Sequence, residues 1–278
     1  MPFSFRLFSV PLGIFAAMLA LPGGGSAQSF AATHAKVSII SDESAFKPGQ
    51  TALIGVLFDL EKGWHIYWEN PGDSGEPPRI QWQLPAGLQV KGVRWPTPVR
   101  LGTGTVVDYG YEGRVLLPVP LEVASNFQGG KPATVSANIR YLICREVCIP
   151  AKAQASLTIP SSSAAGNAAD RELFRNASEN TPKPLPAGSK AEARDAGHFF
   201  TLTVDTGMSE SNAAFFPLEQ DQIDNAAAGQ TPTATSRGVQ IKLKKSDQLT
   251  KPISMLRGVV VFGPGRAYDI AAPVTGKK

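Results

Sequence analysis

Short runs of β-branched and aromatic residues, each ended by turn residues, constrain the fold of this chain more than any other feature. Glycine (27 residues) and proline (23 residues) are spread along the sequence, which favours many short strands over long helices. Several runs alternate apolar and polar residues, as strands with one buried face do. The predicted strands of the first part are Ala35–Ile40, Thr51–Leu60, Trp64–Trp68, Arg79–Leu84, Leu88–Trp95, Arg114–Val123, Ala133–Cys144 and Lys152–Ile159. This spacing predicts an antiparallel β-sandwich over residues 34–160.

A change in composition predicts a domain boundary after this sandwich. Residues 161–192 read as a linker: a Ser- and Ala-rich start, one short helix capped by Asp170, and an extended proline-rich spacer, residues 181–186. Strands return over residues 193–278, which predicts a second, smaller β-rich domain. Residues 224–237 are rich in Ala, Gln and Thr and are expected to form a loop. The fold class is therefore all-β, with two domains.

The N-terminus has the pattern of a secretory signal peptide. Arg6 precedes an uncharged apolar run from Leu7 to Leu21, and small residues at Gly25 and Ala27 suit a cleavage site after Ala27. We therefore expect residues 1–27 to be removed and the mature product to be exported, without stable membrane insertion. Cleavage removes one charged residue, Arg6, and lowers the net charge from +4 to +3. This balance is too slight to indicate a nucleic-acid partner or an anionic membrane.

The two cysteines of the 278-residue chain, Cys144 and Cys148, are separated by three residues. On a straight strand their Cα atoms would lie about 13 Å apart, whereas a disulfide requires about 7 Å or less. The strand must therefore turn at residues 145–147 if the bridge forms, and an oxidising compartment permits it. So small a ring stabilises the folded chain by only about 2 kcal/mol, against 4 to 5 for a bridge across a domain. Strained or exposed disulfides are the reducible ones.

Three interpretations of the pair remain open on the residues alone. A redox-active disulfide is the first, and an inert disulfide that closes a turn is the second. A metal site is the third, but the three histidines, His34, His65 and His198, have no ligand spacing relative to the thiols. Arg145 favours a thiolate at Cys144 and Glu146 opposes it, so the sequence does not indicate which sulfur attacks.

Three ordered blocks of the sequence carry a resemblance to a known family. They are Leu142–Pro150 around the cysteines, Gly63–Gly72 and Asp108–Val119. Together they resemble the N-terminal (alpha) domain of the thiol:disulfide interchange protein DsbD and its relatives associated with suppression of copper sensitivity. The resemblance implies an immunoglobulin-like sandwich in the periplasm, a link to cytochrome c biogenesis, and a cysteine pair that passes electrons to thioredoxin-fold clients.

The resemblance also implies roles for individual residues. Cys144 and Cys148 match the redox pair. Residues 107–111 match a cap loop with an aromatic residue that shields the sulfurs, which nominates Tyr109 first and Tyr111 second. Residues 64–67 match a strand whose alternate aromatic side chains face the pair, which makes His65 and Tyr67 supporting residues.

Two functional hypotheses from different classes follow. The first is an exported thiol–disulfide exchange module, a relay of the protein-disulfide reductase type that needs no metal or organic cofactor. Full-length family members continue into a polytopic membrane domain and a thioredoxin-like domain, and the DsbD alpha domain proper has a wider cysteine spacing. The electrons are therefore expected to come in trans from a membrane thiol transporter. The alternative is a two-domain β-sandwich binding or assembly module with a structural disulfide.

Overall fold

The protein is all-β apart from one α-helix and one 3-10 turn among its described residues. The computed structural model describes Met1 and residues 27–28, 30–32, 34–102, 106–127, 132–159 and 168–276. Antiparallel sheets dominate, which confirms the predicted immunoglobulin-like sandwich class. Most of the predicted signal peptide, residues 2–26, and the start of the predicted linker, residues 161–167, lie outside the described residues. Within the described ranges no helix has the length and apolar character needed to cross a membrane.

The first part of the chain builds two sheets. Its strands are β1 (Ala27–Gln28), β2 (Phe30–Ala32), β3 (Ala35–Ser41), β4 (Thr51–Leu60), β5 (His65–Gly72), β6 (Arg79–Gln83), β7 (Leu88–Val90), β8 (Val99–Leu101), β9 (Asp108–Glu112), β10 (Arg114–Val123), β11 (Ala133–Cys144) and β12 (Cys148–Ile159). One sheet has the order β1-β12-β11-β5-β9-β8, with β6 also paired to β11, and the other has the order β2-β3-β4-β10-β7. The four longest strands, β4, β10, β11 and β12, form the middle of the sandwich.

The core between these sheets follows from the alternation seen in the sequence. In β11 the residues from Val135 to Ile143 alternate between buried and more exposed positions, and the buried set packs with that of β4, for example Ile54 and Phe58, in one apolar cluster. β4 and β10 are buried along most of their length because the helix α1 (Ala168–Asn180) covers part of their outer face.

The helix packs through Phe174 and Ala177 onto Leu57 and Leu116 of the second sheet. Both side chains are buried against the sandwich, so the helix is docked on it and is not a free linker. Asp170 lies inside its first turn and not at the cap position expected from the sequence. The carboxylate there still suits the positive end of the helix dipole.

The last part of the chain forms a third sheet. Its strands are β13 (Lys183–Pro184), β14 (Lys190–Asp195), β15 (Phe199–Asp205), β16 (Ala214–Pro217), β17 (Gln230–Ala234), β18 (Gly238–Lys244), β19 (Met255–Gly263) and β20 (Arg266–Gly276). The order is β16-β19-β20-β14-β15-β18-β17, with β13 paired to β20 in parallel. β13 and the start of β14 fall within residues 161–192, so this sheet includes residues that the sequence assigned to the linker.

The prediction of a loop over residues 224–237 is wrong in part. A 3-10 turn (Ala227–Gly229) leads into β17, which pairs with β18 over its whole length. β17 is an edge strand whose residues are mostly exposed. Its polar side chains therefore do not oppose strand formation, because they remain in water and only the backbone must pair with β18.

Candidate redox site

The two cysteines close a tight hairpin at one end of the first sheet. β11 ends at Cys144, β12 begins at Cys148, and these two residues are register partners. Their sulfurs form a disulfide, with the Cα atoms 4.1 Å apart. The chain turns at residues 145–147, as the spacing required, and the Arg145 amide donates to the Val147 carbonyl at 3.2 Å.

The two sulfurs differ in exposure. Cys144 is 2% exposed, whereas Cys148 is exposed at the surface. Val147, beside Cys148, is a large apolar residue with 63% exposure. An external thiol can therefore approach the disulfide from the Cys148 side, across a rim that is partly apolar.

Tyr67 is the aromatic residue in contact with the disulfide. Its hydroxyl donates to Cys144 Sγ at 2.9 Å and lies 3.4 Å from Cys148 Sγ. The side chain is fully buried, and burial, followed by the charge of Asp108, raises the pKa of its hydroxyl. Tyr67 thus remains a proton donor that can bind a sulfur carrying negative charge.

His65 lies on the same face of β5 as Tyr67. It is the direct register partner of Cys144, and its ring centroid is 5.4 Å from that of Tyr67 in an edge-on arrangement. Its Nε2 has no hydrogen-bond partner among the described residues. Burial lowers the pKa of His65, and the charges of Asp108 and Glu112 oppose that effect.

The structure does not bring Tyr109 and Tyr111 to the sulfurs. Tyr111 pairs with Ile66 in the β5–β9 ladder and Tyr67 pairs with Gly110, so the two tyrosines of β9 lie on the face of the sheet opposite to Tyr67. The expected aromatic cap at these positions is therefore corrected.

Both tyrosines have partners in the core. We call residues 183–276, which carry the third sheet and its loops, the third-sheet region. The Tyr109 hydroxyl donates to Asn225 Oδ1 of this region at 2.9 Å, and the Tyr111 hydroxyl donates to the Pro96 carbonyl at 2.7 Å. Burial raises the pKa of each hydroxyl. They are structural hydrogen-bond donors in this arrangement.

A segment that the sequence did not nominate covers Tyr67. We call residues 70–75 the cover segment. Its Gly75 has φ +82°, and a Cβ atom there would lie 2.2 Å from the Tyr67 ring, so only glycine allows this approach. Ser74 fixes the segment, since its amide and hydroxyl both donate to Asp108 Oδ1 at 2.9 Å. The sequence signal that could have found it is the cluster of turn residues at the end of β5, over residues 70–75.

Arg145 in the turn is held by an aromatic ring. Its guanidinium carbon lies 5.4 Å from the centroid of the Trp64 ring, and Trp64 also stacks with His34 at 3.9 Å. This cation–π contact ties the exposed turn to the start of β5.

No group of three or more His, Cys, Asp or Glu side chains suited to a metal ion occurs in the described part of the chain. The groups that the structure places together at this site are the two sulfurs, the Tyr67 hydroxyl and the His65 ring.

Comparisons with known proteins identify a family model and a solved structure that resemble this chain. The family model of the N-terminal domain of the thiol:disulfide interchange protein DsbD matches residues 36–160. The crystal structure of the N-terminal periplasmic domain of ScsB from Proteus mirabilis has the same fold, with a TM-score of 0.64 and 18% sequence identity. That match covers 88% of this chain and 95% of the other, so it includes the third sheet. A comparison with curated proteins found no significant match.

Proposed function

We propose that this chain is a periplasmic thiol–disulfide exchange protein whose working groups are Cys144 and Cys148, since residues 36–160 match the family model of the DsbD N-terminal domain. The observation that carries the proposal is the unequal environment of the two sulfurs. Cys148 is open to a partner, and Cys144 is buried against a hydroxyl that can stabilise it as a thiolate. A disulfide that only closes a turn needs neither an exposed sulfur nor a hydroxyl donor beside the buried sulfur.

The exchange takes place in two steps. In the dithiol form, the Cys148 thiolate attacks one sulfur of a client disulfide, a Cys148–client bond forms, and the second client sulfur leaves as a thiolate. The Cys144 thiolate then attacks Cys148 Sγ, the Cys144–Cys148 bond forms, and the first client sulfur leaves. The client gains two electrons and this chain returns to the disulfide.

Tyr67 assists the steps in which Cys144 carries charge. Its hydroxyl already points at Cys144 Sγ in the disulfide form, so the donor needs no rearrangement when that sulfur becomes a thiolate. A hydrogen bond to a charged group contributes about 1.5–3 kcal/mol. When a donor thiol attacks Cys148, the same bond makes Cys144 a better leaving group.

The partners follow from the family and from the exposed rim. We propose a membrane thiol transporter as the donor in trans and periplasmic thioredoxin-fold proteins as clients, with Val147 in the contact area. A signal peptide over residues 1–27 would deliver the chain to that compartment. No metal or organic cofactor is required, because the electrons move as bonds between sulfurs.

Single-cysteine variants test the proposal. We expect C144A, which keeps the exposed Cys148, to form a mixed disulfide with an oxidised periplasmic thioredoxin-fold protein at least about tenfold faster than C148A, which keeps the buried Cys144. The mixed disulfide is measured by mass spectrometry after acid quenching. The chain without either cysteine is the control.

A structural disulfide would give a different result. Neither variant would then trap the client, and the wild-type pair would have a reduction potential below about −300 mV. Faster trapping by C148A would keep the exchange function but reverse the assigned roles of the two sulfurs.

A further inference from the structure

The cover segment lies between the disulfide site and the third-sheet region. On one side Gly75 packs against the ring of Tyr67, whose hydroxyl contacts both sulfurs. On the other side the segment meets residues from the last part of the chain. The segment thus contacts both the Tyr67 ring and the last part of the chain.

Two asparagines join this segment to the third-sheet region. Asn70, 2% exposed, accepts from the Gly72 amide at 3.0 Å and donates to the Pro217 carbonyl at 2.8 Å. Asn225, 7% exposed, donates to Asp73 Oδ1 at 2.7 Å. Both bonds cross between parts of the chain that are distant in sequence.

Asn225 uses both ends of its amide. Its Nδ2 binds the Asp73 carboxylate, and its Oδ1 accepts from the buried Tyr109 hydroxyl at 2.9 Å. The other oxygen of Asp73 accepts from the Val107 amide at 2.7 Å. Each of these groups is buried or partly buried, so losing one partner leaves an unsatisfied polar atom.

The position of Asn225 is itself fixed by the third sheet. The preceding residue, Asp224, donates its amide to the Lys244 carbonyl at 2.8 Å, and its carboxylate accepts from the Lys244 ammonium at 2.8 Å. Asp224 also accepts from the Ala226 amide at 3.0 Å. These bonds hold the backbone next to Asn225 against Lys244, at the end of β18.

We propose that Asn225 is a positioning residue, through which the third-sheet region holds the cover segment against Tyr67 and keeps the tyrosine hydroxyl on the Cys144 sulfur. The proposal rests on the proposed function only in taking Cys144 and Cys148 as the reactive pair. It gives the last part of the chain, which has no cysteine, a role in the chemistry of the first.

An exchange of donor and acceptor tests the link directly. N225D places two carboxylates against each other and should displace the cover segment. N225D/D73N should restore the bond, because Asn at position 73 can donate to Asp at position 225. Tyr109 and the Val107 amide keep acceptors in the double variant, and the total charge equals that of the wild type.

The measured quantity is the thiolate pKa of Cys144 in the reduced protein. A dithiol reductant breaks the Cys144–Cys148 bond and is itself oxidised to a cyclic disulfide. After its removal, the pH dependence of alkylation is followed site by site by mass spectrometry. The titratable groups nearby are Tyr67, His65, Asp108, Glu112 and Arg145, and of these only Tyr67 is changed in any variant.

We expect Y67F to raise the Cys144 pKa by about one unit or more, since it removes a hydrogen bond to a charged group. N225D should raise it by a substantial part of that shift, N225D/D73N should return it to the wild-type value, and N225D should add nothing in the Y67F background. E210Q, which weakens a buried ion pair in the same region, is the control for general destabilisation and should leave the pKa unchanged.

The proposal is overturned by an unchanged Cys144 pKa in N225D, by a shift that persists in N225D/D73N, or by equal shifts with and without Tyr67. If N225D does not fold, N225S replaces it. The Cys144 pKa of N225S is then compared with that of the wild type, in the presence and in the absence of Tyr67. None of these measurements uses a client protein. A chain that shows the expected pKa pattern but traps no client would therefore refute the proposed function and leave this inference standing.

Discussion

The sandwich and the third-sheet region differ in what they bury. The sandwich buries one sulfur of a disulfide, a tyrosine hydroxyl beside it and a half-buried histidine. The third-sheet region has an apolar core of its own and buries Glu210 against Arg266, with a nitrogen–oxygen distance of 3.2 Å. The groups proposed to react thus lie in one region, and the other region reaches them through the contacts between the two.

Two adjacent phenylalanines in β16 show how close that contact is. Phe215 belongs to the core of the third-sheet region, whereas Phe216 belongs to the core of the sandwich. The Phe216 ring lies 5.1 Å from Tyr109 and 6.4 Å from Trp68, centroid to centroid. One strand therefore supplies both cores through its alternating side chains, and the regions are expected to unfold together.

The largest predicted effects come from these two residues. F215A and F216A should each lower the free energy of unfolding by about 3–5 kcal/mol, since each removes a buried aromatic ring. Only F216A should also slow the reduction of the disulfide by a dithiol, because its ring packs on the strands that carry Tyr67 and the cover segment. Urea unfolding gives the first quantity and stopped-flow reduction below the unfolding transition gives the second.

Equal reduction rates in F215A and F216A would contradict this difference between the regions. A rate change in both variants would instead indicate that general loosening, and not the contact of Phe216 with the sandwich, controls the disulfide.

The sequence predicted the long strands and nominated the two cysteines as a pair. Thr51–Leu60, Arg114–Val123 and Ala133–Cys144 have the predicted bounds, because their β-branched residues and flanking turns agree with their pairing. The cysteines stood out because only three residues separate them, and the structure joins them in a disulfide.

The faces of the tyrosines could not be read from the sequence. Tyr67 and Tyr109 both lie in alternating aromatic runs, and the side that each occupies depends on the β5–β9 register. A shift of one residue would exchange the faces. Asn225 gave no signal at all, since its partners Asp73 and Tyr109 are more than a hundred residues away.

Strand β9 was missed for a related reason. Its sequence, Asp108–Glu112, contains a central glycine, which disfavours a strand by propensity. In the structure a Cβ atom at Gly110 would lie 2.0 Å from the Ile66 carbonyl oxygen. The tertiary contact thus requires the residue that the local preference argues against.

Two glycine positions distinguish the cost of backbone strain from the cost of a clash with Tyr67. Gly75 and Gly188 have nearly the same φ, +82° and +85°, but a Cβ atom at Gly75 would meet the Tyr67 ring, and one at Gly188 would meet nothing within 4 Å. G188A should therefore cost about 1 kcal/mol, and G75A about 3 kcal/mol, because overpacking adds to the strain.

The two glycine variants should also differ at the disulfide. G75A displaces Tyr67 and should slow reduction by a dithiol, whereas G188A should leave the rate unchanged. Thermal unfolding and the same stopped-flow assay measure both effects. Comparable losses of stability, or a normal rate in G75A, would show that the cover segment does not control Tyr67.

The smallest predicted effect is a pH dependence from His65. Burial lowers the pKa of this histidine below its usual value of about 6.5, so the folded state favours the neutral ring and the unfolded chain binds the proton more readily. The free energy of unfolding should therefore fall as the pH drops below about 6.5, and H65Q should lose this part of the dependence. Urea unfolding at pH 7.5 and pH 5.5 gives the comparison.

Glu112 provides a variant with the opposite sign. Its negative charge supports the protonated form of His65 and partly offsets burial, so E112Q should lower the pKa of His65 further and increase the loss of stability on acidification. In the H65Q background E112Q should have no such effect, because the group that it acts on is absent. A steeper acid dependence in H65Q than in the wild type would reverse the sign of the histidine's contribution and assign the acid sensitivity to the carboxylates near the disulfide.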